Sequence, residues 1–165
     1  MINATKKHLA QGNAPLHSWD IFMYGYKRRL TLSGDLQQLK IIQGRYAWNM
    51  PPVLPAFALI WLDKVVIITN PSLQIIYATE NIYTMTGYRA DEVIGNTPSM
   101  FQGKETTEET RNIIRTGVAT HAHFETVIVN YRKNGSAYNC HVDGYPIFDK
   151  NGELVNFVAL ESAVA

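Results

Sequence analysis

The chain carries few side chains whose types and spacing could do chemistry. His121 and His123 stand two residues apart, which would place both on one side of a strand, where they could hold a metal ion. No third ligand follows at a suitable spacing. No Ser-His-Asp order, pair of carboxylates or Gly-rich phosphate loop stands out either. We therefore expect no metal site, no catalytic residues and no enzyme activity.

The single cysteine, Cys140, lies among strand-forming residues. One thiol excludes both an intrachain disulfide and a cysteine-based zinc site. A lone strand cysteine is usually a small buried hydrophobe, and nothing in the sequence argues for a reactive, redox-sensing thiol. This cysteine usage fits a reducing compartment, and we expect a cytoplasmic location.

Charge and hydropathy argue against two classes of partner. The net charge is +1 in 165 residues, which gives no electrostatic reason to expect binding to nucleic acid. The longest apolar stretch, residues 53–62, contains Pro55 and is too short to span a bilayer. We therefore expect neither nucleic acid nor a membrane as a partner of this domain.

The N-terminal third predicts two helices after a polar arm. The apolar positions of the first helix form an aromatic stripe of Trp19, Phe22 and Tyr26. This stripe could cap a sheet or pair with a second copy of the chain, and we favour a homodimer. A second helix is expected from Asp35 to about Trp48, with Ser33 as its N-cap.

From Val65 onward, short β-branched runs are separated by turn residues. Two strands around a turn at residues 70–72 predict a hairpin. Three helical segments follow, the last starting near Thr107 and ending at Gly117. Three strands close the chain, with Asn134-Gly135 as a hairpin turn. The order predicts an α+β fold: a five-stranded antiparallel sheet with helices on one face, plus the N-terminal helical extension.

Three motifs in this region carry a family resemblance. Thr84-Met85-Thr86-Gly87-Tyr88 comes first, Gly95-Asn96-Thr97-Pro98-Ser99-Met100-Phe101-Gln102-Gly103 follows, and Val129-Asn130-Tyr131-Arg132-Lys133-Asn134-Gly135 lies downstream. Their order and spacing resemble the PAS superfamily and, within it, the flavin-binding LOV branch of blue-light sensors. The resemblance covers roughly residues 56–165, which we expect to be the sensory domain. Residues 1–55 would then be an arm and a helical cap or dimerisation extension.

The middle motif departs from the LOV pattern Gly-x-Asn-Cys-Arg-Phe-Leu-Gln at the reactive position. Pro98 stands where LOV domains carry the cysteine that attacks the flavin, and proline has no nucleophile. Ser99 replaces an arginine that binds the flavin phosphate, and a hydroxyl cannot replace a bidentate guanidinium contact. Thr97 replaces an asparagine but still forms hydrogen bonds, and Gln102 is retained.

The resemblance extends to four more positions. Arg115 matches a second phosphate-binding arginine, although pairing with a glutamate on the helix surface is the interpretation we favour. Asn130 matches the first of two asparagines at the flavin ring edge, the second being Cys140 here. Glu161 replaces a glutamine on the last strand, and whether its carboxylate is buried or exposed stays open. The resemblance thus implies a ligand-binding set of Thr97, Gln102, Arg115, Asn130, Cys140 and Glu161.

The resemblance implies a PAS sensory module of a bacterial-type signal transduction protein that cannot form a cysteinyl-flavin adduct. It would bind a small ligand or none, and signal through a dimer or flanking-helix rearrangement to an output domain or partner protein. One alternative is a ligand-free interaction domain with its cavity packed by Met85, Met100, Phe101 and Leu160. Another is a flavin-binding redox sensor without an adduct. FMN stays open as a cofactor, and haem is not expected, because residues 104–118 contain no histidine.

Overall fold

A computed structural model of the chain describes residues 32–49 and 64–165. The expected helix around Trp19 and the expected domain boundary at residue 55 lie outside these residues. The helices are α1 (residues 32–45), α2 (Ile82–Thr86), α3 (Ala90–Val93) and α4 (Glu108–Ala119), and a 3-10 turn spans Pro98–Phe101. The strands are β1 (Trp48–Asn49), β2 (Val65–Thr69), β3 (Ile75–Ala78), β4 (Phe124–Tyr131), β5 (Ala137–Asp149) and β6 (Leu154–Val164).

The strands form one antiparallel sheet, as predicted. Five of them lie in the order β4-β5-β6-β2-β3, so that the first hairpin of the domain packs beside its last strand. None of the helices in the described parts of the chain has the length and apolar character needed to cross a membrane. The element order from Val65 onward is the predicted order, except that an unpredicted 3-10 turn lies between α3 and α4.

The two-residue strand β1 was not predicted. It pairs with the end of β5, on the edge that β4 occupies farther along. The expected helix continues to about Trp48, but α1 ends at residue 45, and the Trp48 indole Nε1 donates a buried hydrogen bond to Asn156 Oδ1 at 2.8 Å. This long-range hydrogen bond favours the position of Trp48 in β1 over a continuation of helix α1. Ser33 is not an N-cap either, because the helix already includes Leu32, which packs on the sheet.

The sheet is covered on both faces over its centre. Val65 and Ile67 of β2 face α2, α3 and the 3-10 turn, whereas Val66 and Ile68 face α1. All five residues of β2 are buried, which is typical of a strand with apolar neighbours on both sides. The helices between β3 and β4 therefore lie on one face, as expected, and α1 covers the opposite face.

Helix α1 is held to the sheet by apolar packing and by a partly buried hydrogen bond. Leu39 and Ile42 are buried against the outer face. The Tyr77 hydroxyl of β3 donates a hydrogen bond of 2.5 Å to Asp35 Oδ1. Burial raises the pKa of the Asp35 carboxyl, and the hydrogen bond from Tyr77 opposes that rise. The Tyr77 hydroxyl thus stabilises a carboxylate that is only 7% exposed.

Helix α4 extends past the glycine that was expected to end it. Thr107 caps the helix, since its side chain accepts a hydrogen bond from the Thr110 backbone N–H. The helix then continues through Gly117 to Ala119. A Cβ at Gly117 would lie 2.5 Å from Cδ1 of Phe124, so the glycine permits close packing of that ring. The prediction of a helix stop at Gly117 is wrong for this reason.

We expect Tyr77→Phe to lower the free energy of unfolding by about 1–3 kcal/mol, because it removes the hydroxyl that donates to the buried Asp35 carboxylate. Urea denaturation followed by circular dichroism at neutral pH measures the change. Tyr83→Phe is the matched control, because Tyr83 is 60% exposed, and its effect should stay below about 0.5 kcal/mol. Equal effects of the two substitutions would contradict the assigned role of the Asp35–Tyr77 contact.

Candidate functional site

A cavity of about 280 Å³ lies between the inner face of the sheet, helix α4 and the 3-10 turn. This volume is near the lower end of small-molecule pockets, which occupy roughly 300–1,000 Å³. Its walls are mostly apolar, because inward-facing strand residues meet an apolar stripe of α4. The apolar lining residues include Ile67, Ile114, Val118, Phe124, Ile128, Val142 and Phe157.

Three buried polar side chains from three different strands also line this cavity. They are Thr69 at the end of β2, Asn130 near the end of β4 and Glu161 in β6, and each is 4% exposed. Gln102 follows the 3-10 turn, where an isolated backbone bridge to Asn130 holds it against β4. The sheet register thus brings polar groups that are distant in sequence into one apolar space.

Two of these buried groups have a polar atom with no hydrogen-bond partner among the described residues. They are Thr69 Oγ1 and Asn130 Oδ1. Buried polar atoms in folded proteins are almost always hydrogen-bonded, and leaving one without a partner costs about 1–3 kcal/mol. Both atoms belong to residues that line the same cavity. Their arrangement is therefore suited to a ligand that supplies the missing hydrogen bonds.

Glu161 is the residue of the cavity wall whose pKa is shifted by burial. Its Oε2 accepts a hydrogen bond from the Cys140 thiol at 3.6 Å, the one hydrogen bond to this carboxylate among the described residues. Burial raises the pKa of Glu161 to about 7, and the hydrogen bond from Cys140 partly opposes the rise. The open question of its exposure is thus answered: Glu161 is buried within β6, and both protonation states are accessible near neutral pH.

Cys140 lies beside the cavity residues and does not act as an exposed thiol. It is completely buried, as expected for a lone strand cysteine. Burial raises its pKa, and the neighbouring charge of Glu161 raises it further. The thiolate is the reactive form of cysteine, so a thiol held protonated in this way is a poor nucleophile.

The structure brings together most of the residues singled out from the sequence. Thr97, Gln102, Asn130 and Glu161 line the cavity, and Cys140 contacts Glu161. Thr97 is exposed, and its hydroxyl shares a 2.6 Å hydrogen bond with the Ser99 hydroxyl, which also lines the cavity.

Arg115 does not line the cavity. Its guanidinium lies 3.1 Å from Glu108 Oε1 and donates a 2.7 Å hydrogen bond to Asn112 Oδ1. Its side chain is 66% exposed. This arrangement is the surface pairing with a glutamate that we favoured from the sequence.

Thr69 is a cavity residue that the sequence analysis missed. The signal was present, because residues 65, 67 and 69 of a strand share one face, and Val65 and Ile67 are inward-facing. The two histidines were also placed wrongly. His121 has a φ of +50° and precedes β4, whereas the His123 imidazole Nε2 lies 2.7 Å from Asp143 Oδ1. The tight turn before β4 therefore separates two side chains that a continuous strand would have aligned.

The raised pKa of Glu161 predicts a pH-dependent stability. The folded state binds the proton more tightly than the unfolded chain, whose glutamate titrates near 4.5. The protonated Glu161 carboxyl therefore stabilises the folded state fully below pH 4.5, and this stabilisation is lost as the pH rises through about 7. The free energy of unfolding falls by about 3 kcal/mol over this range. Glu161→Gln should remove that part of the pH dependence.

Urea denaturation at pH values of about 5, 6, 7 and 8 measures this effect. Glu153→Gln is the control, because Glu153 is exposed in the turn between β5 and β6 and does not line the cavity. A Glu161→Gln profile parallel to that of the unmodified protein would show that Glu161 does not titrate in this range.

Comparison with known proteins gives the family. A PAS domain profile matches residues 63–161. Phototropin-2 of Oryza sativa subsp. japonica is 35% identical over 97 residues, which are 59% of this chain and 11% of that protein. A blue-light-activated histidine kinase of Brucella anthropi is 36% identical over 96 residues, which are 56% of this chain and 20% of that protein.

Solved structures agree with this assignment. A light-oxygen-voltage domain from a study of a flavin analogue has a TM-score of 0.63 at 29% identity, over 67% of this chain and 84% of that one. The chain spans no more than 20% of the length of the two relatives above, so their similarity concerns one domain. With the profile covering more than half of the chain and the predicted α+β architecture in place, the chain belongs to the PAS domain family.

Proposed function

We propose that this PAS domain is a sensory module of a bacterial-type signal transduction protein that binds a small molecule in the cavity between sheet and helices. The observation that carries this proposal is the convergence of buried polar side chains on one apolar cavity. Thr69 and Asn130 each have a polar atom without a hydrogen-bond partner in the described residues, and Glu161 has only a weak thiol donor. An internal space that served packing alone would not need these groups.

The module that we propose does not form a covalent bond to a flavin. Pro98, at the position that the resemblance aligns with the LOV cysteine, lines the cavity and has no nucleophilic atom. The one cysteine of the chain, Cys140, is buried in contact with Glu161 and has a raised pKa. Both facts support a sensor that works without a cysteinyl adduct, in contrast to what the resemblance implies for LOV domains.

The lining residues do not fit a phosphorylated flavin. Among the described residues, no lysine, arginine or histidine lines the cavity. The guanidinium of Arg115 is engaged by Glu108, and Ser99 stands at the position of the other phosphate-binding arginine. A phosphate group ordinarily needs a charge-assisted partner such as a guanidinium. The cavity is therefore not suited to FMN.

The packing of β6 supports a route by which the cavity could affect α1. Glu161 faces the cavity, whereas its neighbour Leu160 lies on the opposite face of the sheet with Leu39 and Ile42 of α1. Successive side chains of a strand point to opposite faces, so a shift of β6 moves both environments together. We propose that ligand binding alters the packing of α1 by this route. The expected homodimer and cytoplasmic location stay predictions.

The alternative of a ligand-free interaction domain requires a filled core. Met85 and Phe101 do pack in the inner core, and Met100 packs against it. Leu160, however, packs on the opposite face with α1, so the expectation that it fills the cavity is wrong. The space of about 280 Å³ that remains supports the ligand-binding proposal.

The decisive test is the recovery of a small molecule from the purified protein. We expect mass spectrometry of the denatured, filtered protein to detect a released molecule. Ala159→Phe should reduce its amount about tenfold or more, because Ala159 lines the cavity and a phenyl ring would fill it. Ala137→Phe, at an exposed position of β5, is the matched control and should retain the molecule. Equal recovery from both variants would place the binding site elsewhere.

A second prediction concerns light. Absorption spectra of the purified protein before and after blue illumination should show no reversible bleaching of a flavin band, because no thiol is placed to form an adduct. The control is a LOV domain with its reactive cysteine, recorded under the same lamp. Bleaching that recovers in the dark would contradict the proposed absence of adduct chemistry.

A further inference from the structure

The described residues that line the cavity include one ionisable side chain, Glu161. Every other polar group among them is a neutral hydroxyl or amide. An ionised carboxylate in a buried site is costly unless a positive charge or several donors meet it. The described residues supply the Cys140 thiol at 3.6 Å, and thiols are weak donors. The cavity wall is therefore negative or neutral, and no described lining residue balances that charge.

Asn130 adds a second acceptor to the same cavity. Its Oδ1 is buried and accepts no hydrogen bond within the described part of the chain. The remaining walls are apolar, with Ile67, Phe124 and Val142 among them. A complementary molecule thus needs an apolar body, N–H donors and a positive charge.

We propose that the cavity binds a small, phosphate-free organic cation, namely an amine, amidine or guanidine with an apolar body, whose N–H groups donate to Glu161 and Asn130. This inference rests on the proposed ligand-binding function and narrows it to one chemical class. The cavity of about 280 Å³ is near the lower end of small-molecule pockets, which suits a ligand of one ring and its cationic group.

The charge of the site favours a cation over an anion. A phosphate or carboxylate ligand would meet the Glu161 carboxylate in a medium of low dielectric, where like charges repel strongly. An amidinium or guanidinium instead matches a carboxylate with two parallel hydrogen bonds. The polar residues on the open side, Thr97 and Ser99, are neutral and hydrogen-bonded to each other.

The proposal predicts how affinity depends on pH. The titratable groups facing Glu161 are Cys140 and Tyr138 of β5, whose pKa values burial raises, so both stay neutral around pH 7. The residue paired with Glu161 on β2 is the apolar Val65. Glu161 therefore dominates the titration, with a pKa of about 7. A cation prefers the ionised carboxylate, so its affinity should fall about tenfold per pH unit below that value and level off above it.

Matched probe pairs test the proposal with the full chain. Benzamidine, phenylguanidine and benzylamine are the cations, and benzamide, phenylurea and benzyl alcohol are their neutral counterparts. Calorimetry at about pH 8 should show at least one cation binding about tenfold or more tightly than its counterpart. Glu161→Gln should abolish that preference, and its pH dependence as well, whereas Glu153→Gln should keep both. Asn130→Ala should lower the affinity for the cation without removing the pH dependence of that affinity.

The outcomes separate this inference from the proposed function. If neutral probes bind as tightly as cations, or if riboflavin 5′-phosphate binds more tightly than any cation, the cation proposal is overturned and ligand binding in the cavity stands. If no cation binds while a released molecule is recovered from the unmodified protein, the cation proposal is again overturned. If no probe binds and no molecule is recovered, the proposed function itself fails.

Discussion

The complete burial of strand β2 is the constraint on which the rest of the structure depends. Its alternating side chains face two separate cores, so both faces of the sheet must be covered at this strand. Burying an aliphatic side chain of this size contributes about 1.5–3 kcal/mol, and Val66 and Ile68 would lose that contribution if α1 left the outer face. Helix α1 is therefore an integral layer of the fold, and the hydrogen bonds of Asp35 and Trp48 fix its position.

The inner face is only partly filled, and this difference between the two faces creates the site. The Phe124 ring packs closely against Gly117 of α4 and Gly144 of β5, where a larger residue would collide with it. Beside this contact, the helices leave a cavity whose wall includes three buried polar groups. Groups that lack partners destabilise the fold, and such violations of good packing are expected at functional sites.

A shared scaffold and a distinctive site are separate properties of this chain. The PAS architecture supplies the sheet and the cavity, and it does not by itself decide which molecule the cavity accepts. The chemical character of the cavity depends on a few positions: proline at residue 98, a buried carboxylate at residue 161 and a protonated thiol at residue 140. Strand β6 contributes Glu161 to the cavity wall and Leu160 to the core under α1, so this strand lies between the cavity and that helix.

The sequence by itself determined the features that depend on local interactions. The order of elements, the left-handed Gly87 after α2 and the Asn134-Gly135 hairpin turn follow from neighbouring residues, and the structure has all three. The motif alignment likewise identified Gln102, Asn130 and Glu161, which do line the cavity.

Only the tertiary structure decided the features that depend on distant partners. From the sequence, Gly117 was predicted to end a helix, but in the structure it allows the ring of Phe124 to pack against α4. Trp48 was predicted to be helical, but in the structure it lies in β1 and its indole donates a hydrogen bond to Asn156 of β6. The burial of Glu161, the inward orientation of Thr69 and the surface position of Arg115 likewise depend on strand register and helix packing. Local patterns cannot supply this information, because contacts between residues far apart in sequence outweigh the small energies of local propensity.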